Sequence, residues 1–562
     1  MMLKFLKFVF SLLAALLLAS QPAVAQIPTG VLLHQKSDSS AVETLTPQQQ
    51  AALGDPLFNL VLKDHADITN LSALEDLIQP VKINRQTFVV DEKIADPTLG
   101  QSRRSVLTYS GRNGSELLNS NVMLSVSFNS SQFPDQQNVE AWGWDKKQGR
   151  YNYYKLDRQG AGSPSWKFRG SSDNADKLTV TERKDTCMQC HINGAPIMKE
   201  LLRPWNNWHS VNFPVTYLQS SSVSSWPVAR DNKIDGRLGD AYTFERLIVA
   251  PIRDFNRIKV SKKIQLDNKG QPVTDSDGLQ KVIDGKTLLK PLFATTEFNI
   301  ISADRPRSGL HPFPAITTDG PTENVKIPNS FFLNANLISG GTPLQYKGLE
   351  IRDSQTFDDM AELTPDEYKD LVIQSQIKLG GRKPGDAVFA WLVPEPSHID
   401  NDLVDQFMRQ GVVTPEFVSA VMAIDLENPI LSEKRQKLLD LIPNEFRFKP
   451  LDGADPLTTK RHPDELTQTV ISKLESLSPP SSSPEGEFLA ILQSSDPRKI
   501  LEDRVKNYRS RLATNLDKSN PSPRQAELKR LYDLAIARRQ SVLRDVTLSA
   551  LSETGDLLFP LP

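Results

Sequence analysis

Val139-Glu140-Ala141-Trp142-Gly143-Trp144-Asp145-Lys146-Lys147-Gln148-Gly149-Arg150-Tyr151-Asn152-Tyr153-Tyr154-Lys155-Leu156 holds two aromatic-rich runs around a polar loop that ends on glycine. Aromatic side chains suit a pleated, half-buried surface, and a short glycine-containing loop turns one strand back against the next. The stretch therefore predicts a β-hairpin with strands at 139–144 and 150–156. Strand signals also surround it. Residues 87–90 and 105–109 are β-rich, and Val122, Leu124, Val126 and Phe128 alternate with polar neighbours, the period-two pattern of a strand with one buried face. A further strand is expected over 165–168. Upstream, Ser72-Ala73-Leu74-Glu75-Asp76-Leu77-Ile78 reads as a helix stopped by Pro80, whereas 26–55 is polar without sustained periodicity and reads as a mobile or loosely docked leader.

The strand-rich unit runs into Cys187-Met188-Gln189-Cys190-His191, which uses both cysteines of the chain and follows them at once with a histidine. This is the spacing that attaches a c-type haem. Two thiols add to the two vinyl groups on one porphyrin edge, and the adjacent imidazole reaches beneath the ring to the iron. One covalent haem c is expected, held by Cys187 and Cys190, with His191 as proximal axial ligand and its second ring nitrogen hydrogen-bonded to fix the tautomer.

Three other readings compete. A thioredoxin-like redox disulfide should open a helix after a buried parallel strand, but 173–185 is polar and charged. A zinc ion could recruit Cys187, Cys190, His191 and the later His209, yet ligands on consecutive residues strain a tetrahedral site. A plain structural disulfide accounts neither for His191 nor for the lack of other cysteines.

Beyond the motif, Asn193-Gly194 is a turn dipeptide, and Pro196 can open a short helix over 197–203 that Pro204 stops. Trp205 and Trp208 then read as core or haem-edge packing. The iron's far side has two candidate ligands, Met198 and His209. Met198 lies seven positions after His191, a reach of roughly 23 to 25 Å, but a tight turn and helix make a path around the porphyrin unfavourable. An open iron face is the other expectation.

Lys4 and Lys7 precede an apolar run over 8–19, and Ala23-Val24-Ala25 supplies small residues, so residues 1–25 read as a signal peptide cut before Gln26. The expected location is periplasmic or otherwise exported. No later run approaches the roughly 20 apolar residues of a transmembrane helix. Losing two lysines takes 66 basic residues to 64 against 68 acidic ones, a formal charge of −4 that gives no support for nucleic-acid binding.

Residues 211–350 are proline-rich, with short strand-like stretches at 258–260, 281–283 and 325–327. Asp267-Asn268-Lys269-Gly270 and Asp275-Ser276-Asp277-Gly278 lack the ligand ladder and terminal glutamate of an EF-hand and read as β-turns. The last third changes character. Thr364-Pro365-Asp366-Glu367 is a capping box before a helix over 367–377, Thr414-Pro415-Glu416 opens another, and Leu403 and Phe407 mark one between them. Charged stretches at 499–512 and 524–545 read as amphipathic helices.

The expected fold is α+β and multidomain, an antiparallel β-rich, haem-bearing N-terminal half followed by a mainly helical C-terminal region. Its divisions are a signal peptide 1–25, a polar leader with short helices 26–84, a β-rich domain 85–215 ending in the haem motif, a β- and loop-rich middle 216–355, a helical region 356–477, a Ser/Pro linker 478–484 and C-terminal helices 485–562.

The motif resembles that of the c-type cytochromes, which implies two thioethers at Cys187 and Cys190 and axial ligation by His191. Antiparallel strands carrying Trp142, Trp144 and Trp166 ahead of a late haem motif are also similar, over about 85–210, to the cytochrome P-460 and cytochrome c′-beta group. That group includes hydroxylamine-oxidising enzymes and gas-binding proteins. Its lysine cross-link and distal residues find no matching positions here. The chain lacks a second CxxCH and any GxSxG, HExxH, P-loop or dinucleotide fingerprint, so any chemistry should involve the haem. Three roles are open: an exported mono-haem cytochrome that carries electrons or senses redox state with a periplasmic partner, a haem oxidoreductase acting on a small nitrogen compound or peroxide at an open iron face, and a haem-bearing interaction protein with a helical docking region.

Overall fold

The computed structural model describes residues 33–35, 42–68, 71–92, 102–112, 117, 121–129, 138–157, 165–175, 178, 186–189, 191, 194–196, 239, 241–294, 298–299, 324–327, 332–334, 337, 349, 362–367, 369–370, 395–396, 398–429, 432–459 and 463–544. The fold is mixed α+β, with an antiparallel sheet in the N-terminal half and a mainly helical C-terminal region.

Two short strands, β1 (Leu33–Gln35) and β2 (Val42–Thr44), precede helices α1 (Pro47–Ala51) and α2 (Leu71–Ile78). Six strands follow: β3 (Lys82–Glu92), β4 (Ser102–Gly111), β5 (Val122–Asn129), β6 (Asn138–Asp145), β7 (Arg150–Asp157) and β8 (Ser165–Ser171). Each of β3 to β8 pairs antiparallel with the next, and the edge beyond β8 is extended by β1, in parallel, and then β2. The hairpin expected from the aromatic runs is β6–β7, with Trp142 opposite Tyr153 and Asp145 opposite Arg150. Gly149 closes its loop at φ +61°, where a Cβ would stand 2.6 Å from the Ile258 side chain.

Because side chains alternate along a strand, the sheet has two apolar faces, and both are covered. On one, Leu107, Leu124, Val126, Tyr154 and Trp166 pack with Leu53, Leu57 and Leu74. On the other, Phe88, Trp142, Trp144, Tyr151 and Tyr153 pack with Met188, Ala195 and the helix α3 (Ala241–Ser261).

The region expected as a loosely docked leader is in part tightly held. Asp55 is wholly buried and accepts hydrogen bonds from the Tyr154 hydroxyl, from Asn152 Nδ2 at 2.9 Å and from the Phe58 amide at 3.0 Å. Burial raises its carboxyl above the usual range, against the pull of those three donors. Gly143 lets this carboxylate approach the sheet, since a Cβ there would lie 2.2 Å from Asp55 Oδ1. On the same side, Arg85 bridges both Glu75 oxygens at 2.9 and 2.8 Å, and Tyr109 donates to Glu75 at 2.9 Å.

The strand expected at 258–260 is instead the last turn of α3. Helical spacing lets Ile248, Ile252 and Phe255 face the sheet while Val260 enters a second core. That tertiary demand overrides the β-branched local signal. The two Asp-led loops are turns as read: Asp267 Oδ1 accepts from the Lys269 and Gln271 amides, Asp275 Oδ1 from those of Asp277 and Leu279. A short strand, β9 (Gln280–Val282), pairs with Phe446–Phe448.

The second core belongs to helices α4 (Gly285–Phe293), α5 (His398–Gln410), α6 (Pro415–Ala423), α7 (Glu433–Leu438), α8 (Glu465–Leu477), α9 (Pro484–Leu492), α10 (Pro497–Asn515) and α11 (Pro521–Arg544). Thr414 caps α6 by accepting from the Phe417 amide at 3.2 Å, and Ser483 caps α9 by accepting from Gly486 at 3.1 Å. The Thr364–Glu367 capping box forms reciprocally, at 2.9 and 3.2 Å. Its helix beyond 370 lies outside the described residues. The Ser/Pro stretch 478–484 is the connection between α8 and α9, and Leu474 and Phe488 on its two sides share the core.

Candidate functional site

Strand β7 positions the site through its pleat. Asn152 and Tyr154 point to the Asp55 side, so Tyr151 and Tyr153 point to the aromatic face on which Met188 and Ala195 are packed. Tyr151 fixes the neighbouring segment from its backbone, its amide donating to Ser172 Oγ at 2.9 Å. The motif begins there as a 3₁₀ turn, Cys187–Gln189. Thr186 Oγ1 accepts from the Met188 amide at 3.1 Å, and Met188 fills the aromatic cluster. The turn continues as the His191 amide donates to the Cys187 carbonyl at 2.9 Å, bringing cysteine and histidine onto one coil of backbone.

His191 is buried, 9% exposed, with its ring 4.8 Å from that of Tyr153 at an interplanar angle of 45°. Its Nδ1 lies 2.6 Å from the Ala195 carbonyl oxygen. A carbonyl oxygen only accepts, so Nδ1 carries the proton and Nε2 of the neutral ring carries the lone pair. The carbonyl reaches Nδ1 because the chain reverses at Gly194, whose amide donates to the His191 carbonyl at 2.8 Å and whose φ is +71°. A Cβ on Gly194 would stand 2.6 Å from Ser172 Cβ and 2.7 Å from its Cα. Tyr153 completes the arrangement, with its hydroxyl 2.9 Å from the Gly194 carbonyl oxygen and 2.7 Å from that of Ala195.

Cys187 is a free thiol of intermediate exposure. Burial of its sulfur, aided by Glu140 and opposed by Arg169 and Lys155, pushes the thiol up to about 12. Redox-active cysteines of the thioredoxin type depend on the opposite shift and open a helix, whereas this motif begins as a three-residue 3₁₀ turn. Both observations disfavour the redox-disulfide reading. An Nδ1–H donated to a carbonyl is the arrangement that fixes the tautomer of a histidine ligating through Nε2. Of the donors expected for a haem, the described His191 has the tautomer that ligation through Nε2 requires.

Of the residues named from sequence, Cys187 and His191 are brought together. Cys190, Met198 and His209, with Trp205, Trp208 and the helix expected over 197–203, lie outside the described residues. Among the described residues, no group of three His, Cys, Asp or Glu side chains is placed to hold a metal ion. No described helix is long and apolar enough to cross a membrane. Sequence reasoning passed over Tyr153 and the Ala195 carbonyl. The Asn193-Gly194 turn signal was the available clue to the carbonyl, and the two-residue spacing of Tyr151 and Tyr153 was the clue to a shared face.

No protein-family model, curated protein or solved structure matches this chain.

Proposed function

We propose that the chain is an exported protein carrying one covalent haem c, attached through Cys187 and Cys190 and ligated by His191, with an electron-transfer or redox-sensing role. The observation that carries the reading is the hydrogen bond from His191 Nδ1 to the Ala195 carbonyl at 2.6 Å. A haem ligand needs Nδ1 engaged as a donor and the lone pair on Nε2, and this hydrogen bond supports that tautomer. When bound, a haem would supply a one-electron redox couple whose potential its axial ligands and surroundings tune. The chain's own part is to hold the imidazole rigidly. Tyr153 lies against the ring, Gly194 turns the carbonyl inward, and Met188 anchors the motif in the aromatic cluster.

Intact mass and the visible spectrum test this. Full-length protein produced in a host that attaches c-type haem should gain the mass of one haem and show its absorption bands. The Cys187→Ala/Cys190→Ala variant should lose both; an unmodified wild-type mass would sink the proposal.

The strand order supports a second reading, a haem oxidoreductase acting on a small nitrogen compound or peroxide. The six-strand antiparallel meander ahead of the motif is the feature that the P-460-like resemblance rests on. A spectrum responsive to nitric oxide, carbon monoxide and cyanide in the loaded protein would favour it. A low-spin spectrum unmoved by all three would favour electron transfer.

A further inference from the structure

The His191 imidazole is not the only donor to the Ala195 carbonyl. Nδ1 stands 2.6 Å from this oxygen and the Tyr153 hydroxyl stands 2.7 Å from it, two donors on one acceptor. The hydroxyl has a single proton to give. A second acceptor, the Gly194 oxygen, is more distant at 2.9 Å, so of these two Ala195 is the nearer. Tyr153 is 1% exposed, which denies the pair exchange with bulk water.

On the haem reading above, we propose that Tyr153 is a positioning residue that sets the electron-donating strength of His191 by sharing the Ala195 carbonyl with it. A carbonyl oxygen has two lone pairs, but each donor draws on the same electron density. A second hydrogen bond therefore weakens the first. The proton on Nδ1 is held less strongly by Ala195, the imidazole gains less anionic character, and Nε2 becomes a poorer donor. A poorer axial donor stabilises the oxidised iron less and raises the midpoint potential. The Tyr153 ring, 4.8 Å from the imidazole, packs against it, and that packing survives removal of the hydroxyl.

The Tyr153→Phe variant of the full-length, haem-loaded protein separates the two contributions. The ring stays and the competing donor goes, so the His191 hydrogen bond should strengthen and the midpoint of a potentiometric titration should shift negative at unchanged haem content. A midpoint that stays put or moves positive overturns the sharing, the positive shift meaning that the hydroxyl merely pins the 194–195 turn. Should the variant not fold, 3-fluorotyrosine at position 153 provides the opposite perturbation. Its hydroxyl is a stronger donor, so the midpoint should move positive; no shift or a negative one overturns the proposal. Failure of the underlying haem reading is seen separately, as wild-type protein without covalent haem.

Discussion

Gly194 is where backbone stereochemistry and the candidate site meet. Its φ of +71° costs an L-residue about 1–2 kcal/mol, and a methyl group would also press on the Cα and Cβ of Ser172. Gly194→Ala should therefore destabilise the protein by roughly 2–4 kcal/mol. It should also turn the Ala195 carbonyl away from His191. The prediction is a lower denaturant midpoint, with reduced haem incorporation on the function proposed above; a midpoint equal to wild type would show that Ser172 and the turn yield freely. At this scale Cys187 and His191 stand close because four positions along one turn bring the His191 amide to the Cys187 carbonyl. Tyr153 was not legible in the sequence, because its contact with 194–195 spans some 40 residues, and a tyrosine in a strand carries no mark of its partner.

Among the elements, a buried carboxylate latches the N-terminal segment to the sheet, beside the Gly54 amide on Asp145 and the Arg150 guanidinium on the Ala52 carbonyl. Asp55 is the shared acceptor for Tyr154, Asn152 and the Phe58 amide, all buried, so Asp55→Ala leaves three donors without it. The expected cost is roughly 3–5 kcal/mol. Hydrogen exchange should report it unevenly, with amides of 45–62 losing protection before those of β4 and β5. Equal loss across the sheet would contradict a local latch.

Strands β3 to β8 were readable from alternation because one residue step exchanges the two faces of a sheet. The leader was not, since Leu45, Leu53 and Leu57 are too widely spaced to form a period and find their core only against the sheet. Helix α3 was misread at its end for a related reason. Ile258-Lys259-Val260 has strand composition, but its neighbours pack at helical spacing against two different cores.

At the scale of the whole molecule, α3 and α5 tie the sheet to the helical core. Ile252 and Ile399 pack in the aromatic cluster of the sheet, whereas Val260 and Leu403 belong to the second core. Between the helices, wholly buried Asn256 donates to Asp402 at 3.0 Å and to the Ile399 carbonyl at 2.9 Å. Burial, with Asp405 nearby, raises the Asp402 carboxyl to about 6, against the pull of Asn256, Arg253 and Gln406. A carboxyl raised in the folded state binds its proton more tightly folded than unfolded. Stability therefore falls as pH rises from about 4 through 6, by roughly 3 kcal/mol in total if this group acted alone. Asp402→Asn should remove that dependence, melting higher than wild type at pH 8 and near it at pH 4. An unchanged difference between the two pH values would refute the assignment.

From sequence alone follow the antiparallel hairpins and the capped helices, because each rests on residues within a few positions of one another. The docking of Asp55, the bridging by α3 and α5 and the second donor on the Ala195 carbonyl were decided only by the tertiary structure. Each joins groups far apart in the chain, and their energies come from desolvation and from hydrogen bonds inside cores that exist only after those segments have packed. The hairpin at 139–156 belongs to both. Local pattern makes it a strand pair, and packing makes one of its tyrosines a neighbour of His191.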